Sequence, residues 1–260
     1  MKLLKKFKNK KLVVFDMDGT LTPSKAAMRR DMAGLLVKLL REKMVAVIGG
    51  GRYEQFQKQF IGRAKFSGSL MENIFLFPTS STAFYKYARG GWRRVYAHML
   101  SRAAKKKITN AFWRVFQAVR YEHPVKTYGG DVIEDRGTQI TFSALGQKAP
   151  IPPKEAWNKK YNRLRLRIAR LLQKKLPEFH VRVGGLTSID VTAKGINKAY
   201  GIRQIEKTLG VKREDMLFVG DAIFPGGNDY AVVRTGVDYV KVSGPEETKK
   251  VIRFLLGKQT

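Results

Sequence analysis

The chain has 260 residues, 43% of them apolar, enough for one large domain or two small ones. No run approaches the ~20 apolar residues that span a bilayer, and the basic start at 1–11 leads into an apolar stretch far too short for a secretory signal, so no membrane partner is expected. The absence of cysteine excludes disulfide frameworks, thiolate metal sites and thiol nucleophiles, and a soluble cytoplasmic protein is the expectation. The net charge of +30 attracts anions of any kind, from sugar phosphates to nucleic acid. It is uneven: residues 86–186 hold 23 Lys/Arg against 6 Asp/Glu, a net of +17.

In chain order, Leu12-Val-Val-Phe15 is a β-rich apolar run that stops at Asp16, a buried strand. Pro23-Ser24 opens a helix over 25–41, with Met28, Met32, Leu35, Leu36 and Leu39 at helical spacing. A second strand over 44–48 breaks at Gly49-Gly50-Gly51, a helix follows over 53–61, and a third strand at 74–77 ends at Pro78. Strand alternating with helix predicts a parallel α/β sheet. The pattern then changes. Residues 92–120 read as one long basic helix, 131–136 and 138–143 as a hairpin about Gly137, 154–176 as a second basic helix, and 180–183 and 188–191 as strands. From Gly195 the α/β rhythm resumes: helix to 208, strand 216–219, a Gly-rich turn, strand 239–242, and a helix from Pro245. The fold class expected is a Rossmann-like parallel core made of 1–82 and 187–260, interrupted by an α+β cap at 83–186. Trp92, Trp113 and Trp157 are expected to pack the cap helices on their sheet.

The chemistry concentrates at strand ends. Asp16-Met-Asp18-Gly-Thr20 follows the first strand directly, where an open α/β sheet binds its ligands. A carboxylate there can attack phosphorus to give an acyl-phosphate, and a second one two residues on can exchange a proton with the entering or leaving oxygen. An i, i+2 pair also suits a metal held by one side chain and one backbone carbonyl. Thr20 offers a hydroxyl to a phosphate oxygen, and Gly19 allows the sharp turn. A bare Asp-x-Asp is more often an acidic turn; the downstream partner decides. The run over 216–220 is another apolar strand that ends in an acid, Asp221, followed by Pro225-Gly-Gly-Asn228-Asp229. If the two strands are neighbours, three carboxylates meet at one point and call for a hard cation such as Mg²⁺, with Asp16, Asp18 and Asp221 as ligands. Asn228 and Asp229 would orient the metal's waters or Lys198. Lys198, just after a strand and at the start of a helix, can bridge Asp16 and the transferring phosphoryl group.

Together these residues resemble the haloacid dehalogenase-like phosphotransferases over essentially the whole chain, and within them the eukaryotic-type phosphomannomutase family. The segments that carry the likeness are GDAIFPGGNDYAV, SIDVTAKGINKAYGI and VIEDRGTQITFSALGQ. The resemblance implies Mg²⁺, a hexose 1,6-bisphosphate activator, and a cap that closes on the core, often in a dimer through the caps. It also implies that Arg136, Ser188 and Asp190 touch the sugar phosphate, with Asp190 on sugar hydroxyls. Two departures bear on the reaction. The second motif of the superfamily ends its strand in Ser or Thr, whereas here Gly49, Gly50 and Gly51 precede Arg52. The backbone N–H groups of that turn can form an anion nest, with Arg52 beside them. In the cap, Gln147 stands where the family has an arginine for the second phosphate, and Lys154 stands near another. Glutamine brings no charge, and lysine lacks the bidentate fork. The leading expectation is a hexose-phosphate phosphotransferase turning mannose 6-phosphate into mannose 1-phosphate. A sugar-phosphate phosphatase is the alternative. A basic nucleic-acid-binding protein that has lost activity is a third, weaker reading, because all three acids and Lys198 remain.

Overall fold

The computed structural model describes residues 6–23, 26–64, 66–124 and 127–257, and the chain divides into two compact units, Met1–Ala97 with Asn197–Thr260 and His98–Ile196. Residue 25 lies outside the described residues, but 26–29 are described and not helical, so the helix expected over 25–41 is the shorter α1, Arg30–Leu40, which begins after Arg29 in extended backbone.

The larger unit is a seven-stranded sheet in the order β11-β10-β1-β2-β3-β4-β5. Its first five members are parallel: β11 (Asp238–Lys241), β10 (Met216–Gly220), β1 (Leu12–Asp16), β2 (Met44–Ile48) and β3 (Ile74–Phe77). Alternation along β1 explains why the sheet needs cover on both faces. Val13 and Phe15 join one core with Leu36 of α1 and Ile252 of the last helix, α6 (Pro245–Leu255). Leu12 and Val14 join a second core with Ile202 and Ile205 of α5 (Lys198–Leu209). Between β2 and β3 lies the short helix α2 (Tyr53–Gln59).

β4 (Ala83–Ala88) and β5 (Gly91–Ala97) extend this sheet as an antiparallel hairpin. The long helix expected over 92–120 is therefore a strand followed by α3 (Arg102–Ala118). The reason is the turn: Arg89 and Gly90 both have positive φ, 52° and 75°, the two-residue geometry that matches the twist of paired strands. Trp92 accordingly packs on the larger unit's core and edge-on to Tyr87, not on the cap helices. The lower division falls after residue 97, not after 82.

The smaller unit is a four-stranded antiparallel sheet, β6 (Ile133–Asp135), β7 (Gln139–Ser143), β9 (Ser188–Ala193) and β8 (Phe179–Gly184), in that order. α3 and α4 (Ile151–Lys175) cover one face. Period two again sorts the residues: Ile140, Phe142, Ile189 and Val191 enter the core with Phe112, Phe116 and Trp157. The alternate positions, Gln139, Thr141, Ser143, Ser188 and Asp190, are polar and share the other face. β9 pairs on both sides within this sheet, so the upper division falls after 196 instead of 186.

Candidate active site

Register places the acids. Leu12–Phe15 pair with Met216–Val219, and Asp16 sits opposite Ile48 on the other side. The loops after β1, β2 and β10 therefore leave the same end of the sheet. Oxygens of Asp16, Asp221 and Asp229 lie within 4.8 Å of one another. Lys198 Nζ donates to both Asp16 Oδ1 and Asp229 Oδ1, and all three of these side chains are buried. Thr20 is fully buried, and its Oγ1 lies 3.4 Å from Asp221 Oδ1.

The glycines make this crowding feasible. Gly19 has φ 85°, and a Cβ on it would stand 2.5 Å from Asp221 Oδ2. A Cβ on Gly220 would stand 2.5 Å from Asp229 Oδ2, an oxygen that accepts from Ala222 N at 3.0 Å.

Three carboxylates around one ammonium leave an excess of negative charge in a buried place. Burial raises the Asp16 carboxyl well above its usual range, with Asp229 and Asp221 adding to the rise and Lys198 opposing it. Asp221 is raised by burial and by Asp229. Burial works against the Lys198 ammonium, but Asp16 and Asp229 outweigh it and hold the pKa above the ordinary lysine range. An all-oxygen donor set with surplus negative charge fits a hard divalent cation.

Among the remaining expected residues of this unit, Asp18 is half-buried and its carboxylate is not one of the three clustered acids. Asn228 is half-buried in the turn before Asp229. Gly49 N donates to Phe77 O, and the carbonyls of Gly49 and Gly51 accept from Ser80 N and Thr79 N, both at 2.8 Å. Arg52 is exposed and caps α2 through Gln55. The segment that grips the glycine turn was not anticipated. Thr79, Ser80 and Ser81 are buried and all have positive φ, 48°, 57° and 75°, without a glycine among them. Such backbone costs of order 1–3 kcal/mol per residue and clusters at functional sites. The sequence signal available was a hydroxyl-rich run directly after a buried strand.

In the smaller unit Arg136, Gln147, Ser188 and Asp190 gather at the polar face of the sheet, whereas Lys154 is on the helix α4. Arg136 Nη2 donates to Gln147 Oε1 at 3.0 Å, Ser143 Oγ lies 3.4 Å from the same oxygen, and Ser143 and Ser188 hydroxyls are 3.0 Å apart. Asp190 Oδ1 accepts from Gln139 Nε2 at 2.9 Å and Thr141 Oγ1 at 2.8 Å. Lys154 is buried in the first turn of α4. Sequence reasoning missed Glu134, which pairs with Arg136 Nε at 2.6 Å. Gln147 thus orients Arg136, and Glu134 offsets its charge.

The family profile described as "Eukaryotic phosphomannomutase" matches residues 32–258. The chain is 27% identical to a phosphomannomutase of Encephalitozoon cuniculi, covering 96% of this chain and 94% of that one, and 25% identical to one of Saccharomyces cerevisiae, covering 97% and 96%. Among solved structures it is similar to an N-terminally truncated IMP-nucleotidase of Plasmodium falciparum, with a TM-score of 0.74, 18% identity, and 98% of this chain and 71% of that chain covered. The C-terminal domain of a C. albicans trehalose-6-phosphate phosphatase gives 0.68 at 16% identity, with 99% and 96% covered. The two structures share the fold with this chain.

Proposed function

The chain belongs to the eukaryotic phosphomannomutase family, within the haloacid dehalogenase-like phosphotransferases, and from that premise we propose that it isomerises mannose 6-phosphate to mannose 1-phosphate through phospho-Asp16. The observation that supports this most is the meeting of buried Asp16, Asp229 and Lys198 with half-buried Asp221. Among the described residues no helix is long and apolar enough to cross a membrane. The reading carries with it the cytoplasm as compartment and a homodimer, which sedimentation would report.

The side chains of Asp16 and Asp221, with the Asp18 backbone carbonyl, would hold Mg²⁺, which supplies charge neutralisation for the acids and the incoming phosphate. Asp229 fixes Lys198, and Lys198 keeps its positive charge against Asp16. In the first half-reaction the C1 hydroxyl oxygen of mannose 6-phosphate attacks the phosphoryl group on Asp16. Asp18 takes the hydroxyl proton, and the Asp16 carboxylate is released. In the second, the other end of the bisphosphate is presented. An Asp16 oxygen attacks phosphorus at C6, the phosphorus–oxygen bond to the sugar breaks, and Asp18 returns the proton to that sugar oxygen. Lys198 and the glycine turn stabilise the charge on the transferring oxygens.

A phosphatase is the second reading, and Gln147 with the Glu134–Arg136 pair favours it: one arginine is replaced and the other is charge-compensated. The purified chain is assayed with mannose 1-phosphate, with and without a hexose 1,6-bisphosphate. Formation of the 6-phosphate isomer, stimulated by the bisphosphate, is the outcome expected for the mutase. Free phosphate as sole product assigns the hydrolase instead.

A further inference from the structure

One strongly charged surface plays no part in the reaction at Asp16. α4 buries Trp157, Ile168, Ala169 and Leu172 in the core of the smaller unit. At ~100° per residue, Lys159, Arg163, Arg167, Arg170 and Lys174 fall within about 80° on the opposite side. All five are exposed. Their spacing of three or four residues makes a straight row about 22 Å long.

The row is uncompensated. On α3, Lys105 pairs with Asp135 at 2.9 Å and Lys107 with Glu178. Among the described residues no ion pair joins a carboxylate to any of the five, and the one acid on α4, Glu155, stands a turn before Lys159 at the start of the row. Like charges three or four positions apart destabilise a helix by about 0.2–0.5 kcal/mol per pair. The row therefore weakens the helix along most of its length.

We infer that this face binds the phosphate backbone of a nucleic acid without reading its sequence. One strand carries a phosphate every ~3.4 Å of axis, so about 22 Å of helix faces about six phosphates, close to the number of cations. Three of the five are arginines, whose planar forks match phosphate oxygens. An acidic membrane fits less well, because an interfacial helix inserts its apolar face and that of α4 is already covered by its own sheet, leaving Leu166 exposed at the edge of the row. An acidic peptide would have to match a straight row of charges that a phosphate backbone supplies without any sequence requirement.

The test is fluorescence anisotropy of the full chain with labelled single-stranded RNA and duplex DNA of about 20 units, between about 50 and 200 mM salt. Two variants are compared with the wild type. One replaces Lys159, Arg163, Arg167, Arg170 and Lys174 by Gln. The other replaces Arg41, Lys58, Arg203, Lys207 and Lys250, all exposed in the larger unit, so that net charge is matched. Gln is as good a helix former as Lys or Arg, and circular dichroism with sugar-phosphate turnover verifies folding. If the fivefold variant does not fold, Arg163→Gln/Arg167→Gln replaces it, with about half the expected effect. The expected result is at least ~10-fold weaker binding in the α4 variant, a slope of log K against log salt shallower by about four, and a change under ~3-fold in the control. RNA and DNA arms show which backbone is preferred. Equal losses in both variants, no binding by the wild type at the lowest salt, or tighter binding to phosphatidylserine vesicles or polyglutamate would overturn it.

Discussion

The two units solve opposite electrostatic problems. In the larger one, three acids converge on a single lysine at the ends of parallel strands, buried and short of positive charge. In the smaller one, polar side chains on one sheet face satisfy each other, and the helices on the other face carry cations in excess. The first arrangement carries surplus negative charge that a divalent cation would offset. In the second, Asp190 is held by Gln139 and Thr141, and Arg136 by Glu134 and Gln147. The difference teaches that one unit gathers surplus charge where loops leave parallel strands, while the other spends its polar groups on hydrogen bonds across a sheet face.

The sharpest way to break this contrast is to remove the lysine. Lys198→Met leaves Asp16 and Asp229 buried without their cation, which is expected to cost about 3–5 kcal/mol in denaturant unfolding and to lower turnover by 10³-fold or more. A variant of wild-type stability would contradict the claim that this lysine holds the acids. In the smaller unit, Gln147→Arg restores a second guanidinium beside Arg136. It is expected to lower the bisphosphate concentration for half-maximal stimulation about 10-fold, about 1.4 kcal/mol, and to shift product from free phosphate to isomer. An unchanged product ratio would remove Gln147 from the account.

A smaller effect distinguishes the units by pH. Burial, with Arg182 beside it, depresses His180 to about 4. The unfolded chain binds this proton below its ordinary value of 6.5 while the folded chain does not. Stability is thus fully present above about 6.5 and falls as pH drops toward 4, by about 1 kcal/mol after discounting for solvent at a half-exposed ring. His180→Gln is expected to flatten that slope in urea titrations; an unaltered slope would assign it to other groups. The smallest effect is Ser80→Gly, which relieves φ 57° and is expected to raise stability by about 0.5–1 kcal/mol in thermal unfolding. A fall would show that the Ser80 hydroxyl matters more than its backbone.

Much of this was legible in the chain. Apolar runs ending in Asp16 and Asp221 located the sheet and its acids, because burial on both faces demands continuous apolar strands and the ligand end follows from parallel topology. The β5 strand was not legible: Trp92-Arg-Arg-Val-Tyr96 runs toward a cationic helix, and the positive φ at Arg89 and Gly90 turns it back onto β4. Nor was the compensation of Arg136: a period of two puts Glu134 on its face of the strand, but the pattern does not record which partner the guanidinium takes. The left-handed run at Thr79–Ser81 was hidden for a related reason, as none of its residues is the glycine that usually marks such backbone.

The central claim is tested most directly by trapping the acyl-phosphate. The chain is incubated with a hexose 1,6-bisphosphate and Mg²⁺, quenched, reduced with borohydride and mapped by peptide mass spectrometry. Homoserine in place of Asp16, absent from an Asp16→Asn variant, is the predicted result; homoserine at Asp18 or Asp221, or none while turnover proceeds, would contradict it.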